Sequence, residues 1–580
     1  MIKTFIKCIR EFKLPTLLTL GAIILEVFLE VLIPTRTADL VNGIKAGEPM
    51  SDVLKMGLIL VGMALLSLLC GGGAGMLGAK ASAGFARNVR KDVFEKIQSF
   101  SFENIDKFSS ASLVTRLTTD ITNVQMAFMM TIRAAVRSPL MFVFSIVMAW
   151  RMGGALAATF LVIVPVLLIG LIAIARKAMP AFRAVFRKYD RLNESVEENV
   201  RAMRVVKGFA REGYEKEKFA AASGDIAKDF TRAERIVALN NPLMTLCMNF
   251  NMVFVLLVGS KLIVESKGQT IDVGQISAML TYGMQILMSL MMISMIYVMM
   301  TMSWESMKRL SEVLNEVPTL RSPEDPVTEV ADGSIDFESV SFKYSKEAEK
   351  NALEDIDLHI PSGATVGILG GTGSSKSTLV QLIDRLYDAS SGVVKVGGVD
   401  VRDYDLTALR GAVAMVLQKD QLFSGTIRDG LRWGDPDATD EEIQEACRLA
   451  QADEFIQASA DGYDRWIEQG GANVAGGQKQ RLCIARALLK KPKVLILDDS
   501  TSAVDTRTDA KIRAGFRSYI PSTTKIIIAQ RVASVQDADL ILVMDNGRIV
   551  DRGTHEELLR SSPIYREIYE QQTKGGEEDA

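Results

Sequence analysis

The first half of the chain alternates long apolar stretches with long charged segments. Six of the stretches approach the roughly 20 apolar residues that a helix needs to cross a bilayer. They cover residues 14–33, 53–77, 137–150 with the turns before it, 154–175, 243–264 and 276–302. The pattern therefore predicts an all-α membrane domain of six transmembrane helices. The first stretch contains acids and lacks a small-residue cleavage site, so we expect a retained helix rather than a signal peptide.

Basic residues are concentrated in two of the segments between these stretches. Residues 80–137 contain nine Lys or Arg and residues 176–235 contain fifteen, whereas the turn at 151–153 contains one. Segments rich in Lys and Arg stay on the cytoplasmic side of a membrane. We therefore expect both long segments and both termini to be cytoplasmic. Both segments are helical in composition and too long for simple connections, which predicts helices that extend below the membrane.

The second half has the pattern of a soluble α/β domain. Residues 315–334 contain three prolines and several acids, which is typical of a linker. Residues 334–344 then alternate apolar and polar side chains as a strand does, and residues 364–369 form a short apolar run typical of a buried strand. We predict a membrane domain over residues 1–314, the linker, and a soluble domain over residues 335–580.

A glycine- and serine-rich turn follows the second of these strands. The sequence GGTGSSKST fits the phosphate-binding pattern G-x-x-x-x-G-K-[ST], except that Ser375 occupies the position of the second glycine. Such a loop directs backbone N–H groups at phosphate oxygens, with Lys376 on the outer phosphates and Ser377 on Mg²⁺. A simple strand-to-helix turn is the alternative. The residues assigned to phosphate binding are Gly370, Thr372, Gly373, Ser374, Ser375, Lys376, Ser377 and Thr378.

A second strand pattern, KVLILDD, ends in Asp498 and Asp499, about 120 residues further along the chain. In an NTPase with a phosphate loop, the first of these acids binds Mg²⁺. Two more motifs lie between, MVLQKDQLF with Gln418, and VAGGQKQRLCIARALL with Gly476 and Gly477. Four motifs in this order make a chance coincidence negligible.

Composition and charge exclude several other classes. The formal net charge of -3 does not suit a protein that binds nucleic acid through bulk positive charge. The five cysteines are dispersed without paired spacing, so the sequence predicts neither a disulfide framework nor a metal site built on cysteine. The two histidines, His359 and His555, are isolated.

These motifs, behind six membrane spans, resemble those of the ABC exporter family, whose half-transporters join a membrane domain to an α/β P-loop nucleotide-binding domain. The resemblance covers nearly the whole chain and implies that ATP and Mg²⁺ bind. It implies that Tyr344 stacks on adenine, and that Ser377, Gln418 and Asp498 surround Mg²⁺. Residues 474–478 correspond to the signature motif and residues 502–505 to the D-loop. The residues assigned to ATP binding in these two motifs are Ala475, Gly476, Gly477, Gln478 and Asp505. Residues 100–108 and 205–212 would lie near the coupling helices, the second segment against the partner chain's ATPase domain.

Three positions of the phosphate pocket depart from the family pattern. Family members that hydrolyse ATP well have Glu after the Mg²⁺-binding Asp, whereas Asp499 is shorter by one carbon–carbon bond, roughly 1.5 Å. Gln530 replaces a histidine after the last core strand and cannot carry a positive charge. Ser375 has a Cβ where the loop needs the freedom of glycine. Tolerated drift in a working enzyme is the alternative for each position. Together they predict a pocket that binds ATP and hydrolyses it slowly.

The resemblance also bears on the assembly. In this family two ATP molecules lie between two nucleotide-binding domains, each site combining one chain's phosphate loop with the other's signature motif. The signature here has Ala475 in place of serine but retains Gly476, Gly477 and Gln478. We therefore expect a heterodimer, in which this chain carries the degenerate site and its partner has the catalytic Glu and His. A homodimer with slow turnover remains an alternative, as does a gated channel or regulator.

Two features of the spans bear on the transported compound. The sixth span is rich in methionine, which suits surfaces that adapt to varied apolar ligands, although packing between helices is an equal alternative. Glu26 and Glu30 lie one turn apart on the first span and would attract a cationic compound, unless they pair with Arg36, Arg133 or Arg137. The candidate cargo residues are Glu26, Glu30, Met284, Met288, Met291, Met292 and Met295.

The six spans exclude a soluble ABC ATPase of DNA repair or translation, and an importer would keep its membrane and ATPase parts on separate chains. We therefore expect an ATP-driven exporter in the cell membrane, in contact with lipids and not with nucleic acid. Its expected cargo is amphipathic or hydrophobic, of multidrug or lipid-like type, taken from the cytoplasm or the inner leaflet.

Overall fold

The structure is a computed structural model that describes residues 2–266, 269, 271–345, 348–419 and 421–574. The chain divides into two compact units. The first contains Met1–Gln98 and Ser110–Glu316, and the second contains Ser99–Ser109 and Val317–Ala580. The predicted linker, 315–334, begins at Asn315, the last residue of the last helix of the first unit, and ends directly before the first strand of the second. The exact domain limits remain a prediction.

The described part of the first unit is helical. Counted along the chain, and including α4 of the second unit, the helices are α1 Ile2–Lys7, α2 Lys13–Ala46, α3 Met50–Gln98, α4 Phe102–Phe108, α5 Ser110–Thr115, α6 Ile121–Ile132, α7 Ala134–Gly153, α8 Phe160–Arg201, α9 Met203–Gly208, α10 Glu212–Val237, α11 Asn240–Ser266 and α12 Val273–Asn315. A π-helical turn at Arg116–Asp120 joins α5 to α6. The charged segments that the sequence predicts to be helical are confirmed as helices.

Within the described residues, five continuous helical segments are long and apolar enough to cross a membrane: Arg10–Ala46, Met50–Gln98, Ser110–Phe182, Glu212–Ser266 and Val273–Asn315. The third contains both the third and the fourth predicted spans. A straight helix of its 73 residues would be about 110 Å long, several times the hydrocarbon thickness. A 3-10 turn at Gly154–Thr159 separates α7 from α8, and Gly154 has a φ of 48° there. The sequence places this turn at 151–153, which is the end of α7, so the break comes directly after the predicted turn and takes up the start of the predicted fourth span.

Helices α2, α7 and α12 share one core of the first unit. Ile23 and Val27 of α2 are buried against Met279 and Tyr282 of α12. The Tyr282 hydroxyl donates a hydrogen bond to the Val31 carbonyl oxygen at 2.7 Å. This bond satisfies the phenol inside an otherwise apolar core.

The second unit contains the predicted α/β domain. Its strands are β1 Ile335–Phe342, β2 Leu353–Ile360, β3 Thr365–Gly370, β4 Ser391–Val396, β5 Val399–Asp400, β6 Val413–Val416, β7 Gly425–Thr426, β8 Trp466–Ile467, β9 Val494–Asp498, β10 Thr524–Ile528, β11 Leu540–Asp545 and β12 Arg548–Gly553. Its further helices are α13 Lys376–Ile383, α14 Leu406–Ala412, α15 Ile427–Leu431, α16 Asp440–Leu449, α17 Asp453–Gln457, α18 Gly476–Leu489, α19 Thr506–Tyr519, α20 His555–Ser561 and α21 Pro563–Lys574. The strands predicted at 334–344, 364–369 and KVLILDD are confirmed.

A six-stranded sheet of order β12-β11-β3-β10-β9-β6 forms the centre of this unit. Strands β3, β10, β9 and β6 are parallel, with Ile528 opposite both Ile368 and Asp498. The sheet is buried on both faces, because Leu495 and Leu497 of β9 enter one hydrophobic cluster while Val494 and Ile496 enter the other. Parallel neighbours end at the same sheet edge. The segments after these four strands therefore meet there.

A second, antiparallel sheet of order β2-β1-β4-β5 completes the core of this unit. Helix α4 also belongs to the unit. The Tyr387 hydroxyl donates a hydrogen bond to Asp106 Oδ2 at 3.0 Å, and the Phe102 ring lies 6.1 Å from the Tyr387 ring. The segment that the sequence places near a coupling helix is thus a short helix held by the α/β unit.

Candidate nucleotide-binding site

The loop between β3 and α13 is the predicted phosphate loop. Ser375 is the residue before α13 and has a φ of 69°, a left-handed conformation that glycine adopts at little cost. The structure thus confirms that the missing glycine is replaced at a position that favours glycine. The side chain of Ser375 makes no capping hydrogen bond to α13. The first N–H groups of the helix therefore remain suited to an anion.

Lys376 lies over this loop. Its Nζ donates hydrogen bonds to the carbonyl oxygens of Gly370 and Gly371 at 3.0 and 2.8 Å and to Ser374 Oγ at 3.3 Å. Burial lowers the pKa of the Lys376 ammonium, and the nearby charges of Asp498 and Asp499 act in the opposite direction. The loop, its helix N-terminus and this cation fit the outer phosphates of a nucleotide.

Asp498 ends β9 and is buried, as a Mg²⁺-binding acid of a P-loop NTPase is. Burial raises the pKa of Asp498, whereas a hydrogen bond from Ser377 lowers it. The first hydroxyl of α13 and this carboxylate are therefore neighbours, as the predicted metal site requires. Among the described residues no group of three or more His, Cys, Asp and Glu could hold a metal. Two protein groups fit Mg²⁺, which usually keeps waters and phosphate oxygens as its other ligands.

Asp499 follows β9 in a left-handed conformation, with a φ of 50°, and its N–H donates to the Ile528 carbonyl oxygen at 3.0 Å. The Gln530 Nε2 donates a hydrogen bond to Asp499 Oδ2 at 2.8 Å. Burial raises the pKa of Asp499, and hydrogen bonds from Gln418 and Gln530 lower it. The sheet edge thus brings together three predicted residues that are far apart in sequence.

The signature residues lie at the N-terminus of α18, with Ala475 as the residue before the helix. The Ala475 N–H donates to Gln478 Oε1 at 3.4 Å. A Cβ built on Gly477 would lie 2.7 Å from the Ala503 carbonyl oxygen, whereas one built on Gly476 would have only the Ala503 Cβ, at 3.8 Å, within 4 Å. The backbone of Gly477 therefore packs directly against the D-loop of its own chain.

Two further predicted residues are placed by local contacts. The Tyr344 hydroxyl lies 2.8 Å from Thr378 Oγ1 in the first turn of α13, and its ring, 48% exposed, is edge-on to Phe342 and Tyr387. An exposed ring beside the phosphate loop fits the predicted base stacking. Asp505 precedes α19 and accepts a hydrogen bond from the Thr508 N–H at 2.9 Å. Its carboxylate therefore caps a helix.

Two residues outside the predicted site, Gln480 and Arg531, hold the segment 501–504 that follows β9. Gln480 accepts from the Ala503 N–H at 3.0 Å and donates to Ser502 Oγ at 3.3 Å, and Ser502 Oγ donates to the Asp499 carbonyl oxygen at 2.9 Å. Arg531 donates to the carbonyl oxygens of Thr501 and Val504. The bonds of Gln480 and Arg531 join positions more than twenty residues apart, so no local pattern could reveal them.

In the first unit, the structure favours one alternative for the two membrane acids. Arg137 lies 2.6 Å from Glu30 Oε2 through Nη2 and 3.4 Å from Glu26 Oε1 through Nε. Of the three candidate arginines, Arg137 therefore pairs with both acids. The predicted contact of these acids with cargo remains a prediction. The five methionines named above have exposed fractions of 37–62%, and their contact with cargo also remains a prediction.

Known proteins share both halves of this architecture. The family description "ABC transporter transmembrane region" matches residues 16–306, and "ABC transporter" matches residues 353–502. An uncharacterized ABC transporter ATP-binding protein of Mycobacterium tuberculosis is 38% identical over 542 residues, 92% of each chain. The uncharacterized ABC transporter ATP-binding protein YfiB of Bacillus subtilis is 36% identical over 547 residues, 94% of each chain.

A relative with a named cargo and a solved structure also match. The fatty acid ABC transporter ATP-binding/permease protein of Mycobacterium tuberculosis is 34% identical over 480 residues, 83% of this chain and 75% of that protein. The fold resembles a bacterial Atm1-family ABC exporter solved with ATP bound, with a TM-score of 0.82 and 24% identity over 95% of this chain and 97% of that one. The chain therefore belongs to the ABC transporter family, with a membrane domain of exporter fold and an ATPase domain fused in one polypeptide.

Proposed function

We propose that the chain is one subunit of an ATP-driven exporter in the cell membrane, with its ATPase domain and both termini in the cytoplasm. Its own phosphate loop binds ATP with Mg²⁺ and turns it over slowly. Its signature motif completes a second, faster site on a different half-transporter that has the catalytic Glu and His.

The observation that carries this proposal is the hydrogen bond from Gln530 to Asp499. A general base must lie within about 2.6–3.2 Å of the proton-bearing atom that it acts on. Asp499 reaches roughly 1.5 Å less far than glutamate, and one of its oxygens accepts from the Gln530 amide at 2.8 Å. A carboxylate that is short and already engaged is a poor base. The retained Lys376, Ser377 and Asp498 support continued ATP binding.

The signature motif supports the second half of the proposal. Gly476, Gly477 and Gln478 begin a 14-residue helix, so the motif still offers backbone N–H groups and a positive helix end to a phosphate. The substitution of serine by Ala475 removes one hydroxyl. This chain's phosphate loop is weakened, whereas its signature helix and glycines are retained. The signature helix would therefore support hydrolysis best in a site whose phosphate loop belongs to a different, competent partner.

For the cargo we propose an amphipathic or lipid-like compound. The exposed methionines of α12 provide a flexible apolar surface. The relative named as a fatty acid transporter supports the same class. The ion pairs of Arg137 with Glu26 and Glu30 weigh against these acids as a free site for cations.

The test is steady-state ATP hydrolysis by the purified complex of this chain with a candidate half-transporter. We expect Asp499→Asn to leave most of the turnover, and the matching change of the partner's catalytic glutamate to abolish it. Lys376→Ala is the control that removes nucleotide from this chain's loop, which nucleotide trapping would report. If Asp499→Asn silences the complex as fully as the partner's change does, Asp499 is a working base and the degenerate-site proposal is wrong.

A homodimeric exporter is the second candidate, and the isolated chain distinguishes it. A homodimer would hydrolyse ATP without a partner and would lose that activity with Asp499→Asn. We expect the isolated chain to bind ATP with Mg²⁺ while hydrolysing it poorly.

A further inference from the structure

A crevice of about 580 Å³ lies between α8 and α12 inside the first unit. It is distinct from the nucleotide site, which belongs to the second unit. At one end, Leu171 of α8 and Leu290 of α12 are both buried in a cluster that α11 closes with Met244 and Cys247. The crevice opens beyond this cluster, where α8 and α12 no longer fill the space between them.

Most of the crevice wall is apolar. Leu168 and Ile172 of α8 face Ile293 of α12 across it, together with the two buried leucines of the cluster. Leu168 and Ile172 are 42% and 44% exposed, so the crevice is open along this wall and leaves apolar surface that a ligand could cover. Apolar walls of this extent, in a cavity within the usual 300–1,000 Å³ of small-molecule sites, suit one hydrocarbon chain or a molecule of drug size.

Apart from Ser294, the polar lining residues lie at the other end. Arg176 lies one helical turn after Ile172 on the same face of α8, and Tyr297 and Thr301 lie one turn apart on α12. At the closed end, Leu167 and Leu171 share a cluster with Leu287 and Leu290, and the polar lining residues come later in the chain on both helices. The three polar side chains are therefore at a shared end of the crevice.

The position of Arg176 in the chain places this end at the membrane surface. The apolar stretch predicted for the fourth span ends at residue 175, so Arg176 follows directly after it. In the orientation proposed above, this is the cytoplasmic interface. Arginine at a helix end normally extends its guanidinium to that level while its methylene groups stay on the apolar side.

Arg176 and Arg137 differ in whether their charge is paired within the chain. Arg137 is neutralised by two glutamates. Arg176, in contrast, has no ion-pair or hydrogen-bond partner within the part of the chain that the structure describes. A planar guanidinium with free donors binds an acid group in a bidentate manner.

We propose that this crevice binds a single-chain amphipathic anion, with the acid group on Arg176 and the hydrocarbon chain along Leu168, Ile172 and Ile293. The inference rests on the proposed transport function, because it assigns the cargo class. Charge complementarity favours an anion over a cation, and the single crevice favours one chain over the two chains of a bilayer phospholipid.

The test measures binding without ATP, so that it does not depend on the degenerate-site proposal. The purified full chain in nanodiscs of phosphatidylcholine is irradiated with a 16-carbon carboxylic acid carrying a diazirine near its tail, and labelled peptides are mapped by mass spectrometry. We expect labelling on α8 and α12. We expect Arg176→Gln to weaken the apparent affinity about tenfold, because a charge-assisted pair at a half-open site is replaced by a neutral one. Lys177→Gln is the matched control, since its neighbour Lys177 does not line the crevice.

Competition identifies the ligand chemistry. An unlabelled fatty acid and an alkyl phosphate should displace the probe, whereas the methyl ester and the alkyl ammonium of the same length should not. Ile293→Trp should block labelling by filling the crevice while leaving its charge unchanged.

The proposal is overturned if Arg176→Gln and Lys177→Gln behave alike, or if the ammonium competes as well as the acid. It is also overturned if two-chain phosphatidylglycerol competes equally, because Arg176 would then be an anchor for bilayer lipid. If the isolated chain hydrolyses ATP fast but is still labelled at the crevice, the degenerate-site proposal is refuted and the binding site proposed here is retained.

Discussion

Replacement of either signature glycine by alanine provides a matched pair of perturbations. Gly476 and Gly477 are the first two residues of α18. A Cβ on Gly477 would lie 2.7 Å from the Ala503 carbonyl oxygen, a distance that real Cβ atoms essentially never show, and that neighbour is backbone. A Cβ on Gly476 would meet only the Ala503 Cβ, at 3.8 Å, which is ordinary contact. The same substitution therefore fits at one position and forces a shift of the backbone at the next.

The magnitude follows from two contributions. Alanine in place of glycine favours a helix by up to about 1 kcal/mol, and this gain applies to both variants. Overpacking against a fixed group costs about 1–3 kcal/mol, and this cost applies to Gly477→Ala alone. The two variants should therefore differ by about 1–3 kcal/mol in the free energy of the native arrangement. If the ATP-bound dimer needs that arrangement, the difference corresponds to roughly 5- to 150-fold in turnover.

The assay compares ATP hydrolysis by the full complex containing each variant, with thermal unfolding of the same samples. We expect Gly476→Ala to retain activity and to unfold at the same or a slightly higher temperature than the wild type. We expect Gly477→Ala to lose most of the activity while this chain's own loop still traps nucleotide. Equal activity of the two variants would refute the argument, because it would show that the contact with Ala503 does not constrain the site.

Three further predictions follow from other parts of the chain. Asp499→Glu, Gln530→His and Ser375→Gly together should raise ATP turnover at this chain's own site, and no gain in a correctly assembled complex would show that other residues limit it. Glu30→Gln should lower expression and should reduce transport of cationic and neutral compounds equally, because it removes half of an ion-paired cluster; selective loss of cationic compounds would instead support contact with cargo. Burial raises the pKa of Asp384 to about 7. A carboxyl group whose pKa is higher in the folded than in the unfolded chain binds a proton more tightly when folded, so its contribution to the free energy of unfolding is fully present below about pH 4 and is lost as the pH rises to about 7. Asp384→Asn, which cannot ionise, should therefore raise the unfolding temperature more at pH 8 than at pH 5. An equal change at both pH values would contradict this.

The strands and the phosphate loop could be predicted because their signals are local. A short apolar run bounded by glycines identifies β3, and the chemistry of phosphate binding fixes the residue types after it. The role of Ser375 was also predictable, since the loop pattern itself demands glycine at that position. The structure adds its φ of 69°, which gives the strain a conformational basis.

The contacts that define the site could not be predicted, because they depend on the order of the strands. Gln530 meets Asp499 only because β10 lies next to β9, and nothing in either segment specifies its neighbour. The same holds in the membrane domain. Three arginines were candidates for the two membrane acids, and only the packing of α7 against α2 selects Arg137. Pairing between distant segments is a property of the fold and not of either segment.

Asp499 and Gln530 are therefore better treated as one unit than as two independent departures from the family pattern. The 2.8 Å bond between Gln530 Nε2 and Asp499 Oδ2 depends on the lengths of both side chains. Glutamate at 499 would extend the carboxylate by roughly 1.5 Å and would disturb this bond. Histidine at 530 would replace a flexible amide by a ring with one N–H in its neutral form.

Each single reversion thus removes an existing contact without assembling the pair found in fast ATPases. We expect Asp499→Glu alone and Gln530→His alone to leave the turnover at this site at or below that of the wild type, and their combination to raise it. The measurement is a double-mutant cycle on steady-state ATPase of the complex, with the partner's own site inactivated so that only this chain's site contributes. A single reversion that raises turnover as much as the combination would show that the two positions act independently.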